Sequence, residues 1–315
     1  MTLRDSAAKA MPHGIMFHHF HGPGHLPSQG SLSAEELSEV IEFIGTHRVL
    51  SAPDWLERFE RGTLHPDHVC LSFDDNLRCQ FDIAVPVLRT YNVKAFFFIY
   101  SNVLEGEQDR LEIYRDFRTR HFPKVEDFYT TFLNKVHHSE YALRVERGLR
   151  NFNPTSYLAE CPFYSDSDRT FRYIRDCLLG AEPYHSLMAT LMAATPTTGR
   201  QDLWMDKERL FELHRDGHIL GLHSHSHPTR IEKLDRQGQL AEFGRNQAVL
   251  AKICGVSPTT ASYPCNSYNQ ETLSVMRSLG VRLAFRANME LNNPTPLEMG
   301  REDHANVIGR LREGT

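Results

Sequence analysis

The chain has 315 residues, with 35 Lys and Arg against 40 Asp and Glu for a formal charge of −5, 40% hydrophobic and 24% charged residues. These are ordinary globular values, and they exclude disordered, collagen-like and coiled-coil classes. A mildly acidic chain without a basic block also gives nucleic acid or an anionic membrane no electrostatic warrant.

Taken in chain order, residues 14–20 (GIMFHHF) read as a short buried strand that ends in histidines. Ser33, followed by Glu35 and Glu36, supplies an N-cap with acidic residues in the first turn of a helix. Residues 69–73 (VCLSF) form a second apolar strand that stops at Asp74-Asp75-Asn76. A helix over 81–91 leads to 94–100, a continuous apolar run of the buried parallel-sheet kind. Residues 219–222 run into a histidine cluster. Helices near 240–254 and 271–279 precede the strand patterns at 261–264 and 282–286. Strands alternating with helices predict a parallel α/β architecture, in which chemistry gathers at the carboxyl ends of the strands. The polar clusters fall at those ends. The stretch from about 104 to 200 breaks the rhythm, with helical patches at 125–136, 167–179 and 184–194. It reads as a helical insertion into a single barrel spanning 1–315, although length alone suggests two domains. Its arginines, Arg110, Arg115, Arg118 and Arg120, read as a solvated face.

No apolar run reaches the ~20 residues of a membrane span, and the opening MTLRDSAAKAMPHG lacks the apolar centre of a secretory signal. Cys70, Cys79, Cys161, Cys177, Cys254 and Cys265 show no paired spacing. The expectation is a reduced, cytoplasmic protein. The 18 histidines, several of them clustered, are the compositional feature that needs a reason.

Asp74 and Asp75 are adjacent carboxylates just past a strand, where a turn lets both reach one cavity. Two close carboxylates repel unless something positive lies beside them. A divalent metal on one leaves the other ionised and able to act as a base. In His223-Ser224-His225-Ser226-His227, a spacing of four places His223 and His227 on one face of a helical turn and suits joint ligation of zinc or a similar ion. His223 and His225 share a face only if the segment is extended. Two histidines and one aspartate leave positions open for water and substrate, which is the pattern of a catalytic metal site. No GxSxG elbow and no glycine-rich phosphate loop is present.

These strings resemble a family. Residues 71–76 (LSFDDN) are similar to the TFDDG motif of polysaccharide deacetylases, the NodB-homology group or carbohydrate esterase family 4. Residues 217–228 (GHILGLHSHSHP) resemble that family's GHEIGNHTYSHP segment, 262–268 (SYPCNSY) its third motif, and 16–19 (MFHH) the MYHH strand near the start of many members. The resemblance covers about 200 residues, roughly 14–100 and 202–310, and omits the insertion. It implies an α/β fold, a distorted and incomplete (β/α)7-type barrel with a divalent metal at its mouth. It implies Asp75, His223 and His227 as metal ligands and Asp74 as catalytic base. The backbone N–H of Cys265 would help hold the oxyanion. His304 is the candidate general acid, with His18 the alternative.

The metal implied is divalent: zinc first, with cobalt or nickel as alternatives. The activity implied is removal of an acetyl group from an acetamido sugar, in a polysaccharide or in a cytoplasmic precursor that is nucleotide- or lipid-linked. Two other readings stay open: a hydrolase of a non-sugar amide or cyclic imide, and a non-catalytic metal- or sugar-binding module. Three departures from the motifs bear on the site. Asn76 replaces a glycine, a tolerable exchange because asparagine enters the left-handed region more easily than most residues. Cys265 and Asn266 replace Tyr-Gly. The arginine that often precedes the proline of the third motif is absent, so Arg286 or Arg301 is expected to orient Asp74 instead.

Overall fold

A computed structural model describes residues 11–159, 164–195, 203–290 and 295–314; Cys161 lies outside them. The chain divides into two compact units, Met1–Asp109 with Asp202–Thr315, and Arg110–Gln201.

The first unit is built on seven parallel strands: β1 (His13–Phe17), β2 (Val69–Asp74), β3 (Phe96–Ile99), β4 (Ile219–Leu222), β5 (Thr260–Ser262), β6 (Leu283–Phe285) and β7 (Arg301–Asp303). Their order is β6-β5-β4-β3-β2-β1-β7. A further parallel bridge from Phe285 to Met299, just ahead of β7, brings the two ends together. The result is a nearly closed (β/α)7-type barrel. Helices α1 (Ala34–Ile44), α2 (Ala52–Glu60) and α3 (Val85–Thr90) belong to its first half. Helices α9 (Lys207–Arg215), α10 (Arg236–Cys254), α11 (Gln270–Ser278) and α12 (His304–Glu313) complete the barrel.

Every residue of β2 and of β3 is buried, as expected of strands covered on both faces. Alternation then sorts the side chains. Phe96 and Phe98 join Trp55, Cys70, Leu283 and Phe285 in one cluster, whereas Phe97 and Ile99 join Leu37, Val40 and Ile41 of α1 in the larger one. Helix α1 starts on Ser33, whose hydroxyl accepts from the Glu36 N–H while the Glu36 carboxylate accepts from the Ser33 N–H. This is a reciprocal cap that satisfies two donors otherwise left bare.

Two glycines are required by close approach. A Cβ on Gly14 would come within 2.9 Å of the Arg301 side chain, and one on Gly221 within 2.5 Å of the Phe98 ring. Gly14 thus leaves room for an arginine to lie inside the barrel.

Several predicted elements are altered. The strand at 14–20 ends at Phe17, the last residue paired with β2, so His18 and His19 begin a loop. The helix over 81–91 is a π-type turn, Gln80–Ala84, followed by α3. Strand β7 and helices α2 and α9 have no counterpart in the sequence reading.

The second unit contains α4 (Arg110–His121), α5 (Val125–His137), α6 (Ala142–Leu149), α7 (Asp166–Tyr173) and α8 (Ala181–Ala193), with a π-type turn at Ile174–Leu179. It has an aromatic core of its own. Phe171 lies within 5.0–6.1 Å of Phe128, Tyr129, Phe132 and Tyr184, and Tyr129 donates a short hydrogen bond to Asp168. The arginines read as a solvated face are largely engaged instead. Arg120 is paired with Asp116 one turn back at 2.8 Å, and Arg118 lies over the Phe128 ring.

His218, at the entry to β4, is 2% exposed. Its Nδ1 accepts the Ala95 N–H at 3.0 Å, and its ring meets Phe97 edge-on. Burial, then the charge of Lys94, pushes its pKa down to about 4. The Ala95 N–H also occupies the lone pair that a proton would need. Because the folded value lies below the unfolded value of about 6.5, the unfolded chain binds this proton more readily. The stability His218 contributes is therefore whole above about pH 6.5 and is lost as pH falls from there toward about 4. By linkage the loss amounts to about 3 kcal/mol. Urea midpoints at pH 7.5 and 4.5 for the wild type and His218→Asn are the check: the wild type should lose more stability across that interval than the variant.

Candidate active site

The strand β2 delivers Asp74 at its last position, and the chain then turns through two left-handed residues, Asp75 (φ 79°) and Asn76 (φ 55°). Asparagine suits this conformation, so the departure from glycine costs little here. The turn is fixed by the Asp75 N–H donating to the Phe98 carbonyl and the Met205 N–H donating to the Asn76 carbonyl, while the Asn76 side-chain amide donates back to the Met205 carbonyl. It is this reversal that allows consecutive carboxylates to face one space.

The segment carrying His223 and His227 is a loop rather than the helical turn that the spacing predicts, since Ser224 (φ 63°) and His227 (φ 54°) are both left-handed. Contacts from α10 shape it. Glu242 accepts from the N–H groups of His225 and Ser226 and from the Ser226 hydroxyl. Asn246 accepts from the His223 N–H and donates to the Ile99 carbonyl. His225 is directed elsewhere, with its Nδ1 3.0 Å from the Ser101 hydroxyl. His223 and His227 nonetheless lie together, their ring centroids 5.1 Å apart.

Both imidazoles converge on one oxygen. Asp75 Oδ1 is 3.3 Å from His223 Nε2 and 3.3 Å from His227 Nε2, and one ligand atom from each residue falls within a 4.8 Å group. That Asp75 oxygen is buried and makes no hydrogen bond of acceptable geometry. His223 Nδ1 faces the Ser262 carbonyl at 3.0 Å and the Ser262 hydroxyl at 2.7 Å, which turns its Nε2 inward. The His227 ring packs 5.1 Å from the Tyr100 ring, and its Nδ1 lies 3.8 Å from Asp109.

Burial opposes ionisation of Asp75, but the His227 and His223 imidazoles beside it hold its carboxyl well below the usual range. Burial likewise opposes charge on His227, yet Asp75, then Asp109 and Asp74, push its pKa up to about 9. The cluster is thus built around a positive charge. Two imidazole nitrogens and one carboxylate oxygen fit a divalent transition ion, and three protein ligands match a catalytic rather than a closed structural site. Ser262 behind His223 and Asp109 behind His227 stand where outer partners orient such ligands.

Asp74 is 2% exposed and fully engaged by Arg301, with Nη1 to Oδ1 at 2.7 Å and Nη2 to Oδ2 at 2.8 Å. Ser262 donates to Oδ1 at 3.4 Å, and His223 Nε2 lies 4.0 Å from Oδ2. Burial raises the Asp74 pKa, but Arg301 and then His223 outweigh it, so the carboxyl is held below its ordinary value. Of the two arginines expected to orient Asp74, Arg301 does so. It also donates from Nε to the Arg286 carbonyl, while the Arg286 guanidinium faces Glu290.

The remaining predicted residues divide. His18 Nε2 is 3.9 Å from Asp75 Oδ2, with 31% of its side chain exposed. His304 has its Nδ1 3.2 Å from the Met16 carbonyl and 3.4 Å from Asp303 Oδ1, and its Nε2 3.1 Å from the Gly30 carbonyl. Its ring stacks on Phe17, and burial pushes its pKa down. Cys265 occupies an exposed left-handed turn (φ 52°, ψ 26°) three residues beyond Ser262. Sequence reasoning missed Ser262, the hydroxyl that touches both His223 and Asp74. The available signal was its place at the end of a strand.

Fold and cluster together define a parallel β/α barrel with a two-histidine, one-aspartate centre at its strand ends. Residues 184–284 match the family model described as polysaccharide deacetylase, a span that takes in His223, His227, Ser262 and Cys265. Several solved structures have similar folds. One is IcaB from Ammonifex degensii, at 13% identity, TM-score 0.57 and 96% coverage of both chains. Another is the Streptococcus pyogenes deacetylase PplD in complex with acetate, at 13% identity and TM-score 0.54, covering 93% of this chain and 91% of that one. A third is a de-N-acetylase from Aggregatibacter actinomycetemcomitans, at 12% identity and TM-score 0.54, covering 95% and 99%. No curated protein is similar enough in sequence to match. The resemblance to polysaccharide deacetylases drawn from the motifs is thereby shown, and the fold is theirs.

Proposed function

We propose that the protein is a metal-dependent N-deacetylase that releases acetate from an acetamido sugar. The observation that carries this reading is the convergence of Asp75, His223 and His227 on one point, beside an Asp74 carboxylate held by Arg301. The acetate bound in the similar Streptococcus pyogenes deacetylase supports acetyl transfer to water as the reaction class.

A divalent ion held by Asp75, His223 and His227, zinc being the one their donor atoms favour, supplies Lewis acidity when bound. Asp74, kept ionised by Arg301, takes the proton of the attacking water. The Cys265 N–H is the chain's donor toward the oxyanion. His18, beside Asp75 and partly open to solvent, gives a proton to the departing amine. His304 is unsuited to that role because both its ring nitrogens are turned to backbone carbonyls.

The test is direct. Protein loaded with zinc or cobalt should release acetate from at least one member of a panel of monomeric, nucleotide-linked and polymeric acetamido sugars. Chelation should abolish the release and added zinc restore it. Metal-replete protein that spares every sugar but hydrolyses small amides or imides would replace this reading with the non-sugar one. Retained metal with no hydrolysis at all would leave a binding module.

A further inference from the structure

We infer that Gln80 is a positioning residue that sets the general acid against the base, an inference that rests on the deacetylase reading. Gln80 opens the π-type turn Gln80–Ala84, a local geometry that recurs at functional sites, and it is wholly buried. Its side-chain Nε2 donates to two backbone carbonyls at once, that of His18 at 2.9 Å and that of Asp74 at 2.5 Å. Both partners are acceptors, so the amide nitrogen, and not its oxygen, must face them. Its Oε1 makes no hydrogen bond among the described residues.

The location gives these two bonds their meaning. Strands β1 and β2 pair through Phe17 and Phe73, and there the ladder ends. The next residue on each chain is the proposed acid, His18, and the proposed base, Asp74. The two chains then separate: one enters the loop that pairs with Leu32, the other the left-handed turn at Asp75. The carbonyls freed at this fork are the ones Gln80 takes. One amide group therefore extends the ladder by a single rung and fixes the spacing of acid and base through their own backbones.

The two ends are not equally secured without it. Asp74 keeps both bonds from Arg301, and its neighbour Asp75 keeps its backbone bond to Phe98. His18 reaches the site from the start of a loop with a part-exposed side chain. Removing the Gln80 amide is therefore expected to displace the acid more than the base. A displacement of about 1 Å at a reacting group costs on the order of 10²-fold in rate.

The leaving group separates this role from a structural one. A sugar amine must be protonated as it departs, whereas the phenolate of 4-nitrophenyl acetate leaves unprotonated. Gln80→Met removes the donors at similar length, and Gln80→Asn keeps an amide too short to reach both carbonyls. In the zinc-loaded full chain, the ratio of acetamido-sugar to 4-nitrophenyl acetate hydrolysis should fall about 10²-fold in Gln80→Met. It should fall in the same direction in Gln80→Asn, as in His18→Ala, with the cobalt absorption spectrum unchanged. An equal fall of both activities, or an unchanged ratio, in a variant that keeps that spectrum overturns the role. If Gln80→Met fails to fold, the outcome in Gln80→Asn decides. A wild type that hydrolyses the ester but no acetamido sugar defeats the deacetylase reading, and the proposal with it, before any substitution is examined.

Discussion

Asp74→Asn is expected to lower acetate release by about 10² to 10⁴-fold, the usual contribution of a general base, while leaving metal binding in place. The substitution keeps the shape of the side chain and removes its basicity. Asp75, His223 and His227 do not depend on Asp74 for their convergence, because Asp75 is set by its own bond to Phe98 and His223 by Ser262 and Asn246. The cobalt spectrum and metal stoichiometry should therefore survive. One Arg301 nitrogen will lose its acceptor, since the new amide presents a donor to it. Turnover is accordingly compared at a temperature well below the variant's unfolding transition. Loss of the metal in Asp74→Asn, or turnover close to that of the wild type, would remove Asp74 from the role of base and leave Asp75 or His18 to be tested for it.

Much of the barrel was legible because burial on both faces leaves a plain signal. The run from Phe96 to Ile99 is wholly apolar, and no other element fits a short run of that kind between turn residues. Strand β7 was invisible for the opposite reason. Arg301, Glu302 and Asp303 are all charged, and they form a strand because Arg301 finds Asp74 inside the barrel and β1 offers a free edge. That contact joins positions 227 residues apart, which no local pattern reports. The same distance explains why Arg286 and Arg301 were equivalent as sequence and are not equivalent in the fold.

The four-residue spacing of His223 and His227 pointed to two rings that do lie together, but through the wrong local geometry. The left-handed backbone at Ser224 and His227 is imposed by Glu242 and Asn246 from a helix that follows in the chain. His304 was named by resemblance alone. Its neighbours, the Met16 and Gly30 carbonyls, are supplied by the first thirty residues of the chain, far from it in sequence. Gln80 carried no signal at all, since a glutamine just ahead of a helical pattern is ordinary until its two carbonyl partners are seen.

Arg301→Met is expected to destabilise the protein by about 3–5 kcal/mol, the cost of removing one partner from a buried ion pair. Arg301 is 0% and Asp74 2% exposed, so water does not replace the lost bonds. Methionine fills part of the arginine stem beside Gly14 and Phe98, which keeps the cavity contribution small and leaves the uncompensated carboxylate as the main cost. Arg301→Lys retains the charge but not the planar fork that meets both Asp74 oxygens. It should cost less stability than the methionine variant while still lowering turnover.

The decisive comparison is the double variant Arg301→Met with Asp74→Asn, in which neither charge remains. Residues in direct contact do not act additively, and replacing both members of a buried pair is often close to neutral. The double variant should therefore be more stable than Arg301→Met alone, yet remain inactive. Urea unfolding of the four proteins measures the coupling, and acetate release measures activity. If Arg301→Met were destabilised by less than about 1 kcal/mol, or if the double variant were less stable than either single one, Arg301 would not be what holds Asp74 in its charged form.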